Sequence, residues 1–186
     1  MDIYFYLKFW LSFKRKVLMT RKLESIYDLE RLTGTTEKRS EEFKDIQLFV
    51  FDVDDTIAEY RNEISDQSLE LFESLKEKGF KVAVLSNCGR RRRAVLTAIF
   101  TPLGIDVEPT NFKPNPYGYL QICKRAGVKP ANSVMVGDKL GMDLYGAYLA
   151  KFKERILVKP FTDLFGGKRS SLLEQFSRLL ENMTLR

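Results

Sequence analysis

The sequence predicts a Rossmann-like α/β domain, a doubly wound, mainly parallel five-stranded sheet with helices on both faces. Three observations predict it. Short apolar runs alternate with segments of helical period from residue 47 onward. The first run, Leu48-Phe49-Val50-Phe51, has no polar interruption, as a strand buried on both faces requires. Polar residues then gather where the runs end: Asp52 and Asp54, Ser86 and Asn87, Gly137 and Asp138. In an open α/β sheet that carboxyl edge is where ligands bind.

Residues 1–22 carry six basic residues against Asp2 alone, so +5 of the net +6 lies in an aromatic, basic arm. Its apolar part, broken by Lys8, is too short for a transmembrane helix, and its basic residues follow the apolar run, unlike a signal peptide. It reads either as an interfacial anchor on anionic lipid or as a helix packed on the domain. Residues 23–33, with Leu23, Ile26, Leu29 and Leu32 at helical spacing, predict a helix ended by Gly34. Residues 35–45 read as a connector.

The first strand follows at about 47–52. Ser65 or Asp66 caps a helix carrying Leu69, Phe72 and Leu75, stopped by Gly79. Residues 81–86 form the second strand, and 90–100 a helix that ends before Pro102. Residues 105–108 form a short third strand. Helix is expected over 115–127 and 140–150, with strands at 133–137 and 155–158. An amphipathic helix over 170–181 follows, with Leu172, Leu173, Phe176 and Leu179 on one face.

Composition removes several chemistries. There is no histidine, which excludes a histidine phosphatase, a Ser-His-Asp hydrolase and a His-ligated zinc site. Two cysteines, Cys88 and Cys123, make no disulfide framework and point to a reducing compartment, the cytoplasm or an organelle matrix. Cys88 and Arg93 have four residues between them, one too few for a Cys-x5-Arg phosphatase. Chemistry here must run on carboxylates, hydroxyls, lysines and metal.

Asp52 and Asp54 are alternate residues of an extended segment, so they face the same way. Two carboxylates at a sheet edge repel and call for a cation, and an oxygen-only pair suits Mg²⁺. The same residues serve equally as a turn or helix cap, and this stretch alone does not choose. Taken with Ser86, Lys113, Asp138 and Asp143 on one edge, coincident caps become the weaker account.

Asp52-x-Asp54-x-Thr56, then Ser86, Lys113 and Gly137-Asp138-x4-Asp143 resemble the four-motif signature of the haloacid dehalogenase superfamily in its phosphatase form, over roughly residues 45–160. The resemblance implies a Mg²⁺-dependent phosphohydrolase. In it Asp52 attacks phosphorus to give an aspartyl-phosphate, and Asp54 protonates the leaving group and then activates water. It implies metal ligation by Asp52, Asp138 and Asp143 with the Asp54 carbonyl. Ser86 and Lys113 bind and neutralise the phosphoryl group. Thr56, Asn87, Arg90 and Arg91 are expected beside the substrate. The second acid argues against a dehalogenase, and the order of Lys113 before Asp138 against a phosphotransfer receiver.

Only 31 residues separate Asp54 from Ser86, and 26 separate Ser86 from Lys113. Neither gap holds a cap domain, so the site is expected to be open, which suits large or surface-bound substrates. Arg90 to Arg93 stand at a helix N-terminus against its dipole, as a solvated face or as a rim for anions. The uncapped form and the Ser25-Ile26-Tyr27-Asp28 segment resemble the subfamily IIIA, YqeG-like branch, which includes phosphatidylglycerophosphate phosphatases. That implies a lipid phosphate substrate, with an anionic membrane surface as partner and peripheral attachment to it. The alternatives are the same chemistry on a nucleic acid end or phosphoprotein, and a non-catalytic phosphate-binding module. Cys88 and Tyr148 depart from what that branch leads one to expect.

Overall fold

The computed structural model describes residues 18–59, 63–110 and 112–161. Most of the basic arm and the helix expected over 170–181 lie outside them. Six parallel strands form one sheet: β1 (Arg21–Leu23), β2 (Leu48–Phe51), β3 (Lys81–Asn87), β4 (Asp106–Thr110), β5 (Ser133–Gly137) and β6 (Glu154–Val158). Their spatial order is β1-β6-β5-β2-β3-β4. The chain runs outward from β2 through β3 to β4, then crosses back to β5. The crevice between β2 and β5 is therefore the point where strand order reverses, the place such sheets bind ligands.

The pleat of β2 explains its sequence. Phe49 and Phe51 face one side with Phe43, Phe72, Phe80 and Phe100, while Leu48 and Val50 face the other with Leu85, Tyr119, Ile122 and Met135. The Phe51 and Phe72 rings lie 4.7 Å apart, and Phe80 meets Phe49 edge-on at 5.1 Å. On the phenylalanine side lie α1 (Asp28–Leu32), α2 (Asp66–Glu77) and α3 (Arg90–Phe100); on the other lie α4 (Tyr117–Ala126) and α5 (Tyr145–Leu149). Ser65 caps α2 as expected, accepting from Ser68 N at 3.2 Å. Its partner Ser68 donates to the Ile57 carbonyl at 2.8 Å, tying the helix to the segment after β2.

Three expectations are corrected. The sheet has six strands, not five, because residues 21–23 pair with β6, Arg21 opposite Ile156 and Leu23 opposite Val158. That strand is three residues long and charged, so it carries no alternation to read. The helix expected over 23–33 shrinks accordingly to Asp28–Leu32, although Ile26 and Leu29 are buried as their spacing foretold. The helix expected over 140–150 forms, but its first turn, Leu140–Leu144, is widened to π geometry, where the Lys139 carbonyl accepts from both Asp143 N and Leu144 N. Leu18 is buried with Leu140, Leu144 and Leu157.

Candidate active site

The site is built at the carboxyl ends of β2, β3 and β5. Asp52 N continues the ladder to the Val136 carbonyl at 3.0 Å, which places its side chain beside the Gly137-Asp138 strand end. The chain then folds tightly. Thr56 N and Ile57 N both return to the Val53 carbonyl, and Asp55 takes a left-handed conformation, φ 66°, that Asp tolerates better than most residues. This turn carries the Thr56 hydroxyl to 3.4 Å from Asp138 Oδ1, as a donor.

Asp52, Asp138 and Asp143 are all buried, and each offers a carboxylate oxygen within 4.8 Å of the others. Lys113 reaches the cluster from the loop after β4. Its Nζ donates to Asp52 Oδ1 at 2.5 Å and to Asp143 Oδ1 at 2.9 Å. Asp143 Oδ2 also accepts from Lys139 N at 3.1 Å. Gly137 is needed for this approach: a Cβ there would stand 2.6 Å from the Asp143 carboxylate.

Charge in the cluster is unbalanced. Three carboxylates are buried with one buried ammonium, Lys113, and Lys139 adds its charge to Asp143 from the half-buried position beside Asp138. Burial is the largest influence on Lys113 and works against its charge, but Asp143 and Asp52 together outweigh it and hold the group above its ordinary pKa of 10.5. Asp143 is pushed up instead, first by burial and then by repulsion from Asp52, with Lys113 opposing both. The all-oxygen donor set and its residual negative charge fit a hard divalent cation.

Asp54 stands apart from this trio. Its side chain is partly exposed and meets Arg92 Nη2 at 3.5 Å. The three carboxylates within 4.8 Å of one another are Asp52, Asp138 and Asp143, and Asp54 is not among them. Ser86, at the end of β3, is buried and shares a hydrogen bond with Cys88. Burial is the largest influence on the Cys88 thiol and raises it above its ordinary value, which favours the neutral thiol over the thiolate. Asn87 accepts from Lys113 N at 3.1 Å and so fixes the lysine loop to β3.

The structure therefore gathers Asp52, Thr56, Lys113, Asp138 and Asp143, and sets Asp54, Ser86 and Asn87 around them. Arg90 and Arg91 are exposed and point to no catalytic group; the arginine brought to an acid is Arg92. Its position was legible. Arg92, Leu96 and Phe100 recur at helical spacing, and the latter two are buried. Tyr119 also escaped the sequence reading. Its buried hydroxyl donates to the carbonyls of Met142 and Asp143 at 2.9 and 3.1 Å, inside the wide turn. Burial, then the charges of Asp143 and Asp52, raise this phenol well above its ordinary value, so it remains a donor. Gly146 makes room for the ring, since a Cβ there would lie 2.5 Å from it. Tyr119, Ile122 and Cys123 share one face of α4, the spacing that marks such a residue as inward-facing.

Comparison with known proteins agrees with this geometry. A model of haloacid dehalogenase-like hydrolases matches residues 29–150. A probable phosphatase, YqeG of Bacillus subtilis, is 28% identical over 152 residues, 81% of this chain and 82% of that protein. Among solved structures, the cobalt-bound deoxy-D-mannose-octulosonate 8-phosphate phosphatase of Haemophilus influenzae superposes with a TM-score of 0.51 at 16% identity, over 76% of this chain and 88% of that one. An uncharacterised Listeria monocytogenes protein superposes with a TM-score of 0.50 at 17% identity, over 74% of this chain and 99% of that one.

Proposed function

The chain belongs to the haloacid dehalogenase-like hydrolases and is a phosphatase of that family, and from that premise we propose that it hydrolyses a lipid phosphomonoester, such as phosphatidylglycerophosphate, with Mg²⁺ and through an aspartyl-phosphate. The observation that carries the reading is the buried trio Asp52, Asp138 and Asp143, of which Asp52 and Asp143 are held by Lys113.

In this reading a carboxylate oxygen of Asp52 attacks phosphorus in line with the leaving alkoxide. The phosphorus–oxygen ester bond breaks, and Asp54 gives its proton to the departing oxygen. Asp54, now ionised, takes a proton from water. The resulting hydroxide attacks phosphorus, inorganic phosphate leaves, and Asp52 is restored. Arg92, with Nη2 3.5 Å from Asp54 Oδ1, keeps positive charge beside that carboxylate. Lys113 sets positive charge against the phosphoryl oxygens while restraining the nucleophile. Ser86 donates to a phosphoryl oxygen, and Thr56 orients Asp138.

Asp52, Asp138 and Asp143 would hold Mg²⁺, with the Asp54 carbonyl as a further ligand. When bound, the ion neutralises phosphoryl oxygens and accepts their developing charge. The lipid assignment is supported by the motif resemblance to the YqeG-like branch. It is supported too by what lies between the motifs: α2 and β3 fill the first interval and α3 and β4 the second, so among the described residues nothing roofs the site.

The test is phosphate release from phosphatidylglycerophosphate in mixed micelles, with Mg²⁺ or EDTA, for wild type and Asp52→Asn. Expected is Mg²⁺-dependent release that falls to background in the variant. Turnover of a soluble aryl phosphate without lipid turnover would retain the phosphatase and reject the lipid. Activity of Asp52→Asn equal to wild type would reject the nucleophile.

A further inference from the structure

We propose that the loop carrying Lys113 is also the element by which the enzyme docks on an anionic lipid surface, an inference that rests on the lipid-phosphate reading above and gives it a place on the molecule. Phe112 and Tyr117 flank the buried lysine and are 72% and 65% exposed. Leu120, one helical turn beyond Tyr117 and so on the same face of α4, is exposed too. Three large apolar side chains thus project from one short segment whose central lysine points the opposite way, into the catalytic cluster.

The projection is held in place. Phe112 N donates to Thr110 Oγ1 at 3.2 Å, Asn115 N to the Phe112 carbonyl at 2.5 Å, and Tyr117 N to Asn115 Oδ1 at 2.9 Å. Lys113 N adds the bond to Asn87 on β3. Aromatic side chains kept in water by such bonding gain by entering the headgroup layer of a membrane.

The second half of the surface is charge. Three residues after Asn87 begins α3, whose first turn presents Arg90, Arg91 and Arg93 to solvent and contains no acidic residue. α3 and α4 both lie against β4 but bury their apolar residues on opposite faces of the sheet. Aromatic loop and arginine turn therefore stand on two sides of the same carboxyl edge, with the site between them. A nucleic acid would use the arginines and could stack bases on the rings, but has no need of the aliphatic Leu120 beside them. A membrane of anionic lipids uses both, because acyl boundary receives the rings and headgroups receive the guanidinium groups.

Binding is measured by co-sedimentation of the full chain with vesicles of phosphatidylcholine, alone or mixed with phosphatidylglycerol. Three proteins are compared: wild type, Phe112→Ser/Tyr117→Ser, and Arg90→Ala/Arg91→Ala/Arg93→Ala. Wild type is expected to bind the anionic vesicles. The aromatic double variant is expected to lose about tenfold in vesicle affinity while hydrolysing a soluble aryl phosphate at the wild-type rate. The arginine variant is expected to lose the preference for anionic over neutral vesicles. Unchanged vesicle binding by the aromatic variant, or no binding by wild type, overturns the proposal. Lipid phosphate hydrolysed in detergent micelles at equal rates by wild type and the aromatic variant leaves the function standing even where docking fails. No hydrolysis of that lipid in micelles by wild type removes the lipid reading itself.

Discussion

Lys113 is the residue on which the site's electrostatics turn. Replacing it by Met leaves Asp52 and Asp143 facing each other without a counter-charge, and uncompensated buried charge of this kind costs about 3–5 kcal/mol. The direction of its shift sets the pH window. A lysine held above its ordinary 10.5 contributes stability that is complete below that value and is lost as pH climbs through the folded one. Asp143, raised from 3.8, works in the opposite sense. Its protonated form is favoured by folding, so stability from it is greatest below 3.8 and fades as pH rises through the folded value. The deficit of Lys113→Met, followed by urea unfolding, should therefore narrow as pH falls through the raised Asp143 value towards the ordinary 3.8. A deficit that widens in acid would contradict this account. The same carboxyl must be ionised to ligate a cation, so the Mg²⁺ concentration giving half-maximal activity should rise as pH falls. Tyr119→Phe keeps the buried ring but removes the hydroxyl that holds the Asp143 backbone. A hydrogen bond of about 1 kcal/mol is lost. Calorimetric titration should show Mg²⁺ affinity weakened about fivefold, with the aryl phosphate KM little changed.

Between these residues and the fold stand elements whose fine structure depends on a missing Cβ. Ala is the better helix former, yet Gly146→Ala in α5 should lower Tm, because a methyl group 2.5 Å from the Tyr119 ring forces one of them to move. Overpacking of this sort costs about 1–3 kcal/mol, more than the helix gains. Gly137→Ala should spare the sheet and abolish turnover, since the added methyl displaces the Asp143 carboxylate. A fully active Gly137→Ala would show that Asp143 is not required where it sits. The strands were legible because both faces of β2 are covered, so Leu48 to Phe51 had to be continuously apolar. The site was legible because its residues cluster at strand ends, which sequence order alone implies. What escaped was anything decided across the sheet. The strand at Arg21–Leu23 exists only because β6 offers an edge to it. The wide turn before α5 depends on a tyrosine more than twenty residues earlier. Arg92 was hidden among identical neighbours, although Leu96 and Phe100 marked its face.

At the scale of the whole molecule, β1 and Leu18 fasten the far side of the sheet. Leu18→Ala should cost about 2–5 kcal/mol, as buried leucines generally do, and it opens space behind Leu140 and Leu144, the residues that back the Asp143 turn. Its activity should accordingly fall at low Mg²⁺ and recover at high Mg²⁺. Loss that no Mg²⁺ concentration restores would place Leu18 in the fold alone. Mg²⁺ itself should raise the Tm of wild type by balancing the carboxylate cluster, and should fail to do so in Asp138→Asn.

That edge has a consequence for how the enzyme is made. Thr20 is hydrogen-bonded to Arg155, 135 residues away, and the pairing of β1 with β6 follows from there. On the ribosome the segment around Leu18 emerges early and has nothing to pair with until β6 is synthesised. The core strands β2, β3 and β4 have by then been free to assemble. A nascent chain arrested before Val158 would hold Asp52, Lys113 and Asp138 without the backing of the Asp143 turn. Completion of the carboxylate cluster should thus arrive in one late step, well after Asp52 has left the exit tunnel.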